Sequence, residues 1–551
     1  MRLRLVALLV LGLPVLALPA FANITSSSLT GTVTIGGKPA AGVTVTAGSR
    51  TTVTNAHGRY WLAELPPGVY DVTFSLPAHT TLTKRAVLEL ARVARTDATL
   101  EPNPDEDSTT STAVTVSVAE TIFPTTHFDD RALDRLPTGR LGSAFLAPDS
   151  RFGNIIVDGV PDGAVPSEEM VEQVTAVNGV SPVEWETHLG SPIAFRTRSG
   201  GEDFFFTLRD TITNDDDLQH FGEATAGGRI VPERLWFFAG AWKGEDAPGA
   251  PDREGVLAKI DGQFGTAHRL GLSYSDALQV FSTAPFDYDT VSLRYTGVAG
   301  PRFTADAVAA RTENTDFFSG RASVLLGDHV LTAGATDAGA AFASDRWSYA
   351  RWNVYAGLRH DDGELDPRVA VSYDLHGNGA RAIVATWGEY AQPGVEGQTF
   401  RVASLGFASA LGNGGSARVD FLRRESGSFW QHDLQLDARY RLFDRFEAGG
   451  TYTLTNRVES PSFLFPDQSA NVWLSAEVPL GNHEFGVTVL QHYLEASRFS
   501  EAPTDLALRY SIPFTRVGLL LAFDMTNVFD NPDGISLFPP RAYRFWLRVR
   551  I

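Results

Sequence analysis

Two clusters of acidic residues in this sequence have side chains of the type that binds calcium. Residues 215–217 lie in the stretch TNDDDLQHF, and residues 360–362 lie in RHDDGELD. Neither cluster has the ligand spacing of a calcium loop, and both lie where turns between strands are expected. The sequence therefore favours solvated turns and predicts no metal site.

Three arginines near the C-terminus, Arg544, Arg548 and Arg550, place positive charge on one face of a segment. They could attract an anionic substrate, but acidic residues alternate with arginine elsewhere in the chain, which favours a wall of ion pairs. The sequence contains no H-E-x-x-H pattern, phosphate-binding loop or recognisable nucleophile–base pair. It predicts no catalytic residue and no cofactor.

The overall charge and the absence of cysteine exclude further classes of function. The chain has 46 Lys and Arg against 65 Asp and Glu, a net charge of −19, which argues against a nucleic-acid partner. It has no cysteine, so disulfides, thiolate catalysis and cysteine-ligated metal sites are all excluded.

The first 22 residues have the pattern of a signal peptide. The basic start MRLR is followed by the apolar run LVALLVLGLPVLALPAF and by Ala20-Phe21-Ala22, a cleavage pattern that predicts a cut before Asn23. The alternative is an uncleaved inner-membrane anchor. No later stretch approaches the ~20 apolar residues of a spanning helix, so any residence of the mature protein in a membrane requires strands.

Residues 23–101 are predicted to form a small β-sandwich. Short alternating segments are separated by turns at Gly36-Gly37 and Pro66-Pro67-Gly68. The residues predicted to share its core are Val43, Val45, Tyr60, Leu62, Tyr70 and Val72. The stretches GKPAAGVTV, TNAHGRYWL and LPPGVYDVTF resemble the carboxypeptidase regulatory-like domain, a transthyretin-like sandwich. The resemblance implies no peptidase activity.

Residues 102–121 are predicted to be an acidic linker that ends in a short strand. EPNPDEDSTTS is acidic and poor in apolar residues, which is typical of a solvated linker. In the following TAVTVSVAE, Val114, Val116 and Val118 fall on one side. The segment could add itself to the sheet edge of a partner, or it could be the first strand of the next domain.

Residues 122–200 are predicted to form a compact domain. A buried run at residues 155–157 meets a turn at Asp158-Gly159, and a strand at residues 171–177 ends at Asn178-Gly179. IIVDGVP and EEMVEQVTAVNGVSPVEWETHLGSPIAFRTRSG resemble the plug of TonB-dependent outer-membrane receptors, especially the Oar-like group. This plug is shorter than is usual in that family, and its approach to the barrel is less rich in glycine.

Residues 201–551 alternate apolar and polar side chains with few exceptions. HDLQLDARYRL and DLALRYSIPF are two examples among about twenty-one such runs. No 20–50-residue repeat supports a soluble solenoid or propeller. A transmembrane antiparallel β-barrel of about 22 strands is predicted, with apolar faces toward lipid and charges toward the lumen. Some aromatic residues near strand ends fit membrane-interface girdles, namely Trp236, Phe237, Phe238 and Trp473.

The chain closes with RAYRFWLRVRI, an alternating strand with nothing after it to cap it. A free edge of this kind is an aggregation hazard, so the last strand is expected to pair with the first, near residues 203–213, and to close the barrel. The residues on its apolar face are Tyr543, Phe545, Leu547, Val549 and Ile551. This ending also resembles the signal read by the outer-membrane assembly machinery.

The resemblance implies a mainly β outer-membrane receptor with its N-terminal domain in the periplasm. It implies uptake of an unknown small ligand, with TonB, ExbB and ExbD as partners, by a monomer embedded in outer-membrane lipid. It places plug structure or coupling on Asp158, Gly159, Arg196 and Arg198. The residues that would contact TonB are Val114, Thr115, Val116, Ser117 and Val118. The alternatives are a structural or adhesive Oar-like barrel that does not transport and a passive porin.

Overall fold

A computed structural model describes residues 27–551 except for intervals at 103–108, 112–121, 138–154, 162–166, 186–191, 245–252, 392–398, 459–467 and 529–541, and for breaks of up to four residues elsewhere. The described part contains a β-sandwich, a small mixed domain and a closed barrel. None of the described helices is long and apolar enough to cross a membrane.

The N-terminal unit is a sandwich of two sheets. In one, β1 lies between β2 and β5 and also pairs with β8 and β9; the other has the order β10-β7-β6-β3-β4. Alternation places a dry core between the sheets, and five of the six predicted core residues are buried while Tyr70 packs against them. The strands are β1 Ser27–Ile35, β2 Lys38–Pro39, β3 Thr44–Ala47, β4 Arg50–Val53, β5 Arg59–Leu65, β6 Gly68–Ser75, β7 Thr81–Leu88, β8 Val93–Arg95, β9 Ala98–Leu100 and β10 Thr109–Ser111.

Strand β10 departs from the sequence prediction. Its three residues belong to the stretch expected to be a solvated linker, yet they pair in parallel with the edge strand β7 of the sandwich. Threonine and serine tolerate strand geometry, and an otherwise free edge offers them backbone hydrogen bonds. The end of the predicted linker is therefore part of the sandwich.

The mixed domain follows in residues 125–197. Its sheet has the order β11-β14-β15-β12-β13, in which β12 and β15 are parallel and the other pairs are antiparallel. A short helix and a 3-10 turn at Glu168–Met170 complete it. Its elements are β11 Thr125–Phe128, α1 Asp130–Arg135, β12 Ile155–Val157, β13 Val160–Pro161, β14 Val171–Val177 and β15 Ile193–Thr197. Strands β12 and β14 lie where the sequence predicts them.

The rest of the chain forms one closed antiparallel barrel. Strands β35 and β36 both pair with β34 and together make one interrupted strand, so the described ring has 22 strands, as the sequence predicts. Its first half is β16 Phe205–Asn214, β17 Leu218–Val231, β18 Leu235–Gly244, β19 Arg253–Phe264, β20 His268–Phe281, β21 Ala284–Ala299, β22 Phe303–Thr312, β23 Asp316–Leu326, β24 His329–Thr336, β25 Ala341–Tyr349, β26 Trp352–Asp361 and β27 Glu364–Asp374. Its second half is β28 Arg381–Ala391, β29 Thr399–Gly412, β30 Gly415–Ser426, β31 Phe429–Leu442, β32 Phe446–Val458, β33 Gln468–Leu480, β34 His483–Ala496, β35 Phe499–Glu501, β36 Thr504–Pro513, β37 Gly518–Thr526 and β38 Ala542–Arg550.

The last strand closes the ring. Strand β38 pairs with β16 from Asn214↔Tyr543 to Thr207↔Arg550, and with β37 on its other side. Phe545 and Leu547 are exposed on the outer face, whereas Trp546 and Arg548 are buried on the inner face. The alternation of the final segment is thus an alternation between the outside and the inside of the barrel.

Closure gives a first testable expectation. Leu547→Pro removes a backbone donor from a strand that is paired on both sides, and the unpaired partner costs about 1–3 kcal/mol. We expect most of the protein to lose the compact, heat-modifiable band of a folded barrel in unheated electrophoresis. Leu547→Val keeps the donor and the outward apolar side chain, and it should retain that band. Equal yields of folded barrel from the two variants would contradict the closure role.

Candidate functional site: the interface between the mixed domain and the barrel

The described residues between 122 and 200, which include the mixed domain, lie inside the barrel, and we call them the inner domain. Its residues make polar contacts with inward-facing side chains on every side of the ring. The contacted strands are β16, β17, β19, β21, β25, β26, β27, β28, β31, β32, β33, β36 and β38. A body held from all sides of a closed ring occupies its lumen, so this interface is the candidate site.

One contact of the inner domain is a tight hairpin that inserts a carboxylate into the wall. Asp158 (φ 50°) and Gly159 (φ 87°) form the two-residue turn between β12 and β13. Aspartate followed by glycine is the pair that such left-handed turns favour. The Asp158 amide donates to the carbonyl of Phe195 at 2.9 Å, which orients the carboxylate toward the barrel.

The Asp158 carboxylate is held by two cations of the barrel wall. The Lys259 Nζ lies 2.6 Å from Oδ2, and an Arg294 guanidinium nitrogen lies 3.7 Å from Oδ1. The backbone amide of Thr197 donates to Oδ1 at 3.0 Å, and the Thr197 hydroxyl donates to Oδ2. Lys259 also donates to the Thr197 carbonyl at 3.2 Å. A single wall lysine therefore ties together β12 and β15 of the inner domain.

Two opposing effects set the pKa of the Asp158 carboxyl. Burial raises it, whereas the charges of Lys259 and Arg294 and the hydrogen bonds from Lys259 and Thr197 lower it. The attractive interactions prevail and hold the pKa well below the usual value of an aspartate. Asp158 is therefore ionised at every physiological pH.

A second contact gathers several charges at the barrel seam. The backbone amide of Glu169 donates to the Glu223 carboxylate at 3.0 Å, and Arg209 lies 3.5 Å from the same carboxylate and 3.6 Å from that of Glu169. Arg548 on the last strand approaches Glu169 at 3.5 Å and Asp134 at 2.7 Å. Arginines of the first and last strands thus bind the same inner-domain turn.

The indole of Trp546 supports this seam from within the wall. The guanidinium carbons of Arg209, Arg509 and Arg548 lie 4.4, 4.8 and 5.3 Å from its ring centre, and its Nε1 donates to Asp524 at 2.8 Å. Stacking on an aromatic face stabilises partly dehydrated guanidinium groups. Neighbouring arginines can therefore be packed together on this wall.

The helix α1 provides a third contact. Arg135 in its last turn donates to Glu477 at 2.6 Å and to Glu447 at 3.2 Å, and it is buried. A cation near the C-terminal end of a helix also interacts favourably with the helix dipole. Within the domain, Arg198 binds Asp130 at 2.5 Å, which fixes α1 against the end of β15.

The fourth contact is a turn at residues 181–185 that meets two tyrosines and an arginine. The hydroxyl of Tyr390 accepts from the Ser181 amide at 3.0 Å, and that of Tyr355 accepts from the Val183 amide at 2.8 Å. Arg368 is fully buried, donates to the Pro182 carbonyl at 2.6 Å and stacks 4.2 Å above the Tyr390 ring. Backbone carbonyls here replace the carboxylates that bind arginine elsewhere in the lumen.

The four predicted plug residues lie in this domain but differ in role. Asp158 and Gly159 form the turn that meets the wall, whereas Arg198 acts within the domain. Arg196 pairs with Glu172 at 3.4 Å on the adjacent strand β14. The predicted TonB-contacting residues, Val114 to Val118, lie outside the described residues.

Two other sequence interpretations have outcomes in the described part. Trp473, expected in a membrane-interface girdle, faces the lumen and packs on Phe128 of the inner domain. Phe238, expected in the same girdle, is buried in a cluster with Met170 of the inner domain, so both assignments are wrong. Asp361, considered as a calcium ligand, lies 3.3 Å from Arg359 on the inner wall. Residues 215–217 and 362 lie outside the described residues.

The wall residues of the site were not identified from sequence. Lys259, Arg209, Glu223 and Arg368 are buried charges within alternating barrel strands. The alternation of apolar and polar residues in the sequence predicts that these charges face the lumen. It does not say which of many inward charges meet the inner domain, because that depends on how the domain is seated in the ring.

A family model supports the assignment of the sandwich. The carboxypeptidase regulatory-like domain matches residues 28–101. The predicted N-terminal sandwich is therefore confirmed.

Comparison of the whole chain finds outer-membrane transport proteins. The chain is 29% identical to the TonB-dependent transporter Oar of Myxococcus xanthus over 40% of this chain and 27% of Oar, so it spans about a quarter of that relative's length. The siderophore receptor PirA of Pseudomonas aeruginosa superposes with a TM-score of 0.63 at 13% identity, covering 78% of this chain and 99% of PirA. The ferric-catecholate import receptor Fiu of E. coli gives 0.63 at 12%, covering 79% and 97%. The similarity to Oar-like receptors is confirmed, and the barrel fold is shared with these structures.

The Asp158–Lys259 pair yields a test of how firmly the inner domain is seated. Lys259→Met or Asp158→Asn alone leaves a buried charge without its main partner, and each should weaken retention of the domain by about 3–5 kcal/mol. The double variant should weaken retention by less than the sum of the two single effects, because neither the Lys259 nor the Asp158 charge then remains. The measurement is the urea concentration at which purified protein in a planar bilayer begins to conduct ions.

An exposed ion pair provides the matched control. Lys243 and Glu254 lie 2.6 Å apart, but their side chains are 69% and 54% exposed. Lys243→Met should weaken retention of the inner domain by no more than about 1 kcal/mol, and so should shift the urea threshold little. Two results would contradict the role of the Asp158–Lys259 pair in holding the inner domain. One is a shift for Lys243→Met as large as that for Lys259→Met, and the other is a double variant at Asp158 and Lys259 whose effect equals the sum of the single effects.

The low pKa of Asp158 predicts a specific pH dependence. A group whose pKa is lowered on folding contributes stability above its unfolded pKa of about 3.9, and loses it only as pH falls through the folded value. The difference in urea threshold between the natural protein and Asp158→Asn should therefore be the same at pH 7 and pH 5. A difference that disappears at pH 5 would show that the carboxylate is not held in this way.

Proposed function

We propose that this protein is an outer-membrane receptor that takes up a small ligand by TonB-coupled displacement of its inner domain. The observation that supports the proposal most directly is the filled lumen. Contacts on thirteen strands hold a folded domain inside a closed 22-strand ring. An open pore needs no such domain, whereas a gated receptor requires one.

The chemistry of the interface suits a part that must be seated and released. Besides apolar contacts such as Phe128 with Trp473 and Met170 with Phe238, the interface contains many ion pairs and hydrogen bonds. The ion pairs include Asp158–Lys259, Glu169–Arg209 and Arg135–Glu477. Water can replace such partners once it enters, so the cost of separating them falls as the domain moves. A predominantly apolar interface would gain no comparable substitute from water.

The proposed mechanism assigns successive roles to the segment that precedes the inner domain and to the inner domain itself. A ligand binds from outside, and periplasmic TonB captures residues 112–120 as an added strand, with Val114, Val116 and Val118 supplying the paired face. Pulling on this segment then displaces the domain that contains Asp158, Gly159, Arg196 and Arg198. ExbB and ExbD would energise TonB, as in the receptors that this chain resembles.

The same proposal defines location and ligand class. The sandwich lies in the periplasm, and the barrel lies in outer-membrane lipid as a monomer placed there by the assembly machinery. The protein acts as a transporter and catalyses no reaction. PirA and Fiu are named as siderophore and ferric-catecholate receptors, so ferric siderophores are the first ligands to assay.

Binding to TonB is the test of the coupling segment. Val116→Pro removes a strand hydrogen bond, which costs about 1–3 kcal/mol and should weaken capture about fivefold or more. Deletion of residues 112–120 should abolish it. The measurement is binding of purified, detergent-solubilised protein to the periplasmic domain of TonB from the same organism.

Two controls separate this proposal from its rivals. Val116→Ile keeps both the donor and a β-branched side chain, so it should bind TonB as the natural protein does. If neither the natural protein nor this variant binds, the protein is a barrel that does not use TonB. Steady ion conductance by the natural protein without urea or any partner would identify it as a passive porin instead.

A further inference from the structure

The last strand of the sandwich, β10, directly precedes residues 112–120, the segment that we propose TonB captures. Strand β10 runs parallel to β7 with Thr109 beside Thr81, Thr110 beside Leu82 and Ser111 beside Thr83. Residues 103–108, which lie outside the described part of the chain, separate β10 from the body of the sandwich, and residues 112–121 follow it. The chain therefore returns to the sandwich edge immediately before the segment assigned to TonB.

The edge of β7 continues beyond the point where β10 ends. Strand β7 extends to Leu88, and its other side pairs with β6 along this length, down to Gly68↔Leu88. Among the described strands, none pairs with β7 on the β10 side after Thr83. Residues Lys84 to Leu88 thus offer backbone donors and acceptors to a further stretch of parallel chain.

The register of β10 on β7 determines which later residues would lie along this edge. Continued in the same direction, it brings Val114 beside Ala86 and Val116 beside Leu88. Ala86 is 4% exposed and Leu88 is 1% exposed, because both face the sandwich core. Directly paired residues of neighbouring strands point to the same face of a sheet, so both valines would cover the edge of that core.

The alternating pattern of the segment fits the two faces of the sheet. Val114 and Val116 match the core-facing positions, while Ala113 and Thr115 match the outward positions on the side of Thr83 and its neighbour Thr73. A shift of one residue would turn both valines to water and place threonine against the core. The register observed at β10 is therefore the one that suits the following residues.

We propose that the edge of β7 at residues 84–88 is a docking surface for residues 112–116 of the same chain. The sandwich then holds the coupling segment in strand form until a periplasmic partner competes for it. Its biological meaning rests on the proposed TonB coupling, although the docking itself does not. Holding the segment lowers the apparent affinity for the partner by the fraction of molecules in which it is free.

Disulfide trapping tests the docking directly, because the natural chain has no cysteine. The full-length protein in detergent is prepared as Arg85→Cys/Ala113→Cys, two positions that the register places side by side, and is mildly oxidised. Thr83→Cys/Ser111→Cys is the reference pair, since these two residues are paired in the structure. We expect both pairs to form a disulfide in most molecules, detected by mass spectrometry of the linked peptides.

The matched control is Arg85→Cys/Ser117→Cys. Residue 117 lies on the same face but four residues farther along, about 13 Å from the position of residue 113, whereas a disulfide requires Cα atoms within about 7 Å. Only a small fraction should cross-link. Equal cross-linking of the 113 and 117 variants, or absence of a disulfide in the 113 variant, would overturn the docking.

Binding to the TonB periplasmic domain separates this inference from the proposed function. Oxidised Arg85→Cys/Ala113→Cys should bind about tenfold or more weakly than its reduced form, and reduction should restore binding. If the oxidised form binds equally well, docking does not compete with capture and the inference fails. If the reduced form and the natural protein both fail to bind, TonB coupling fails, and docking is then decided by the cross-linking alone.

Discussion

The structure depends on one electrostatic constraint: charges that line the inside of the barrel must find partners where the inner domain excludes water. Lys259, Arg209 and Glu223 are buried on the wall, and an isolated buried charge costs several kcal/mol. The inner domain supplies the opposite charges, through Asp158 for Lys259 and through Glu169 for Arg209. While the domain is seated and water is excluded, the charges of the wall and those of the domain therefore depend on each other.

Much of the architecture follows from period-two alternation, which is a local signal. It predicts the strands of the barrel, their approximate number and the inward or outward direction of each side chain. The Asp158-Gly159 turn was also predictable, because this residue pair favours a left-handed hairpin. Strand β10 was missed because its polar composition is typical of a linker, and its pairing with β7 depends on an edge that lies nearly thirty residues earlier in the chain.

The site was less predictable than the fold for a physical reason. Asp158 finds Lys259 and Arg294, about one hundred and more residues away, and Arg135 finds Glu447 and Glu477 across a still longer separation. These pairs depend on strand register accumulated around the ring and on the orientation of a domain inside it. A one-residue change of register would exchange inner for outer side chains, so alternation gives the direction of each charge without giving its partner.

The short connection between the inner domain and the wall has a mechanical consequence. Strand β15 ends at Thr197 and β16 begins at Phe205, so the intervening chain spans at most about 25 Å when fully stretched. A displaced domain would remain tethered to the barrel, at an effective concentration on the order of millimolar near its own cavity. In the proposed transport cycle, reseating of the domain would therefore be a unimolecular step that recruits no other molecule.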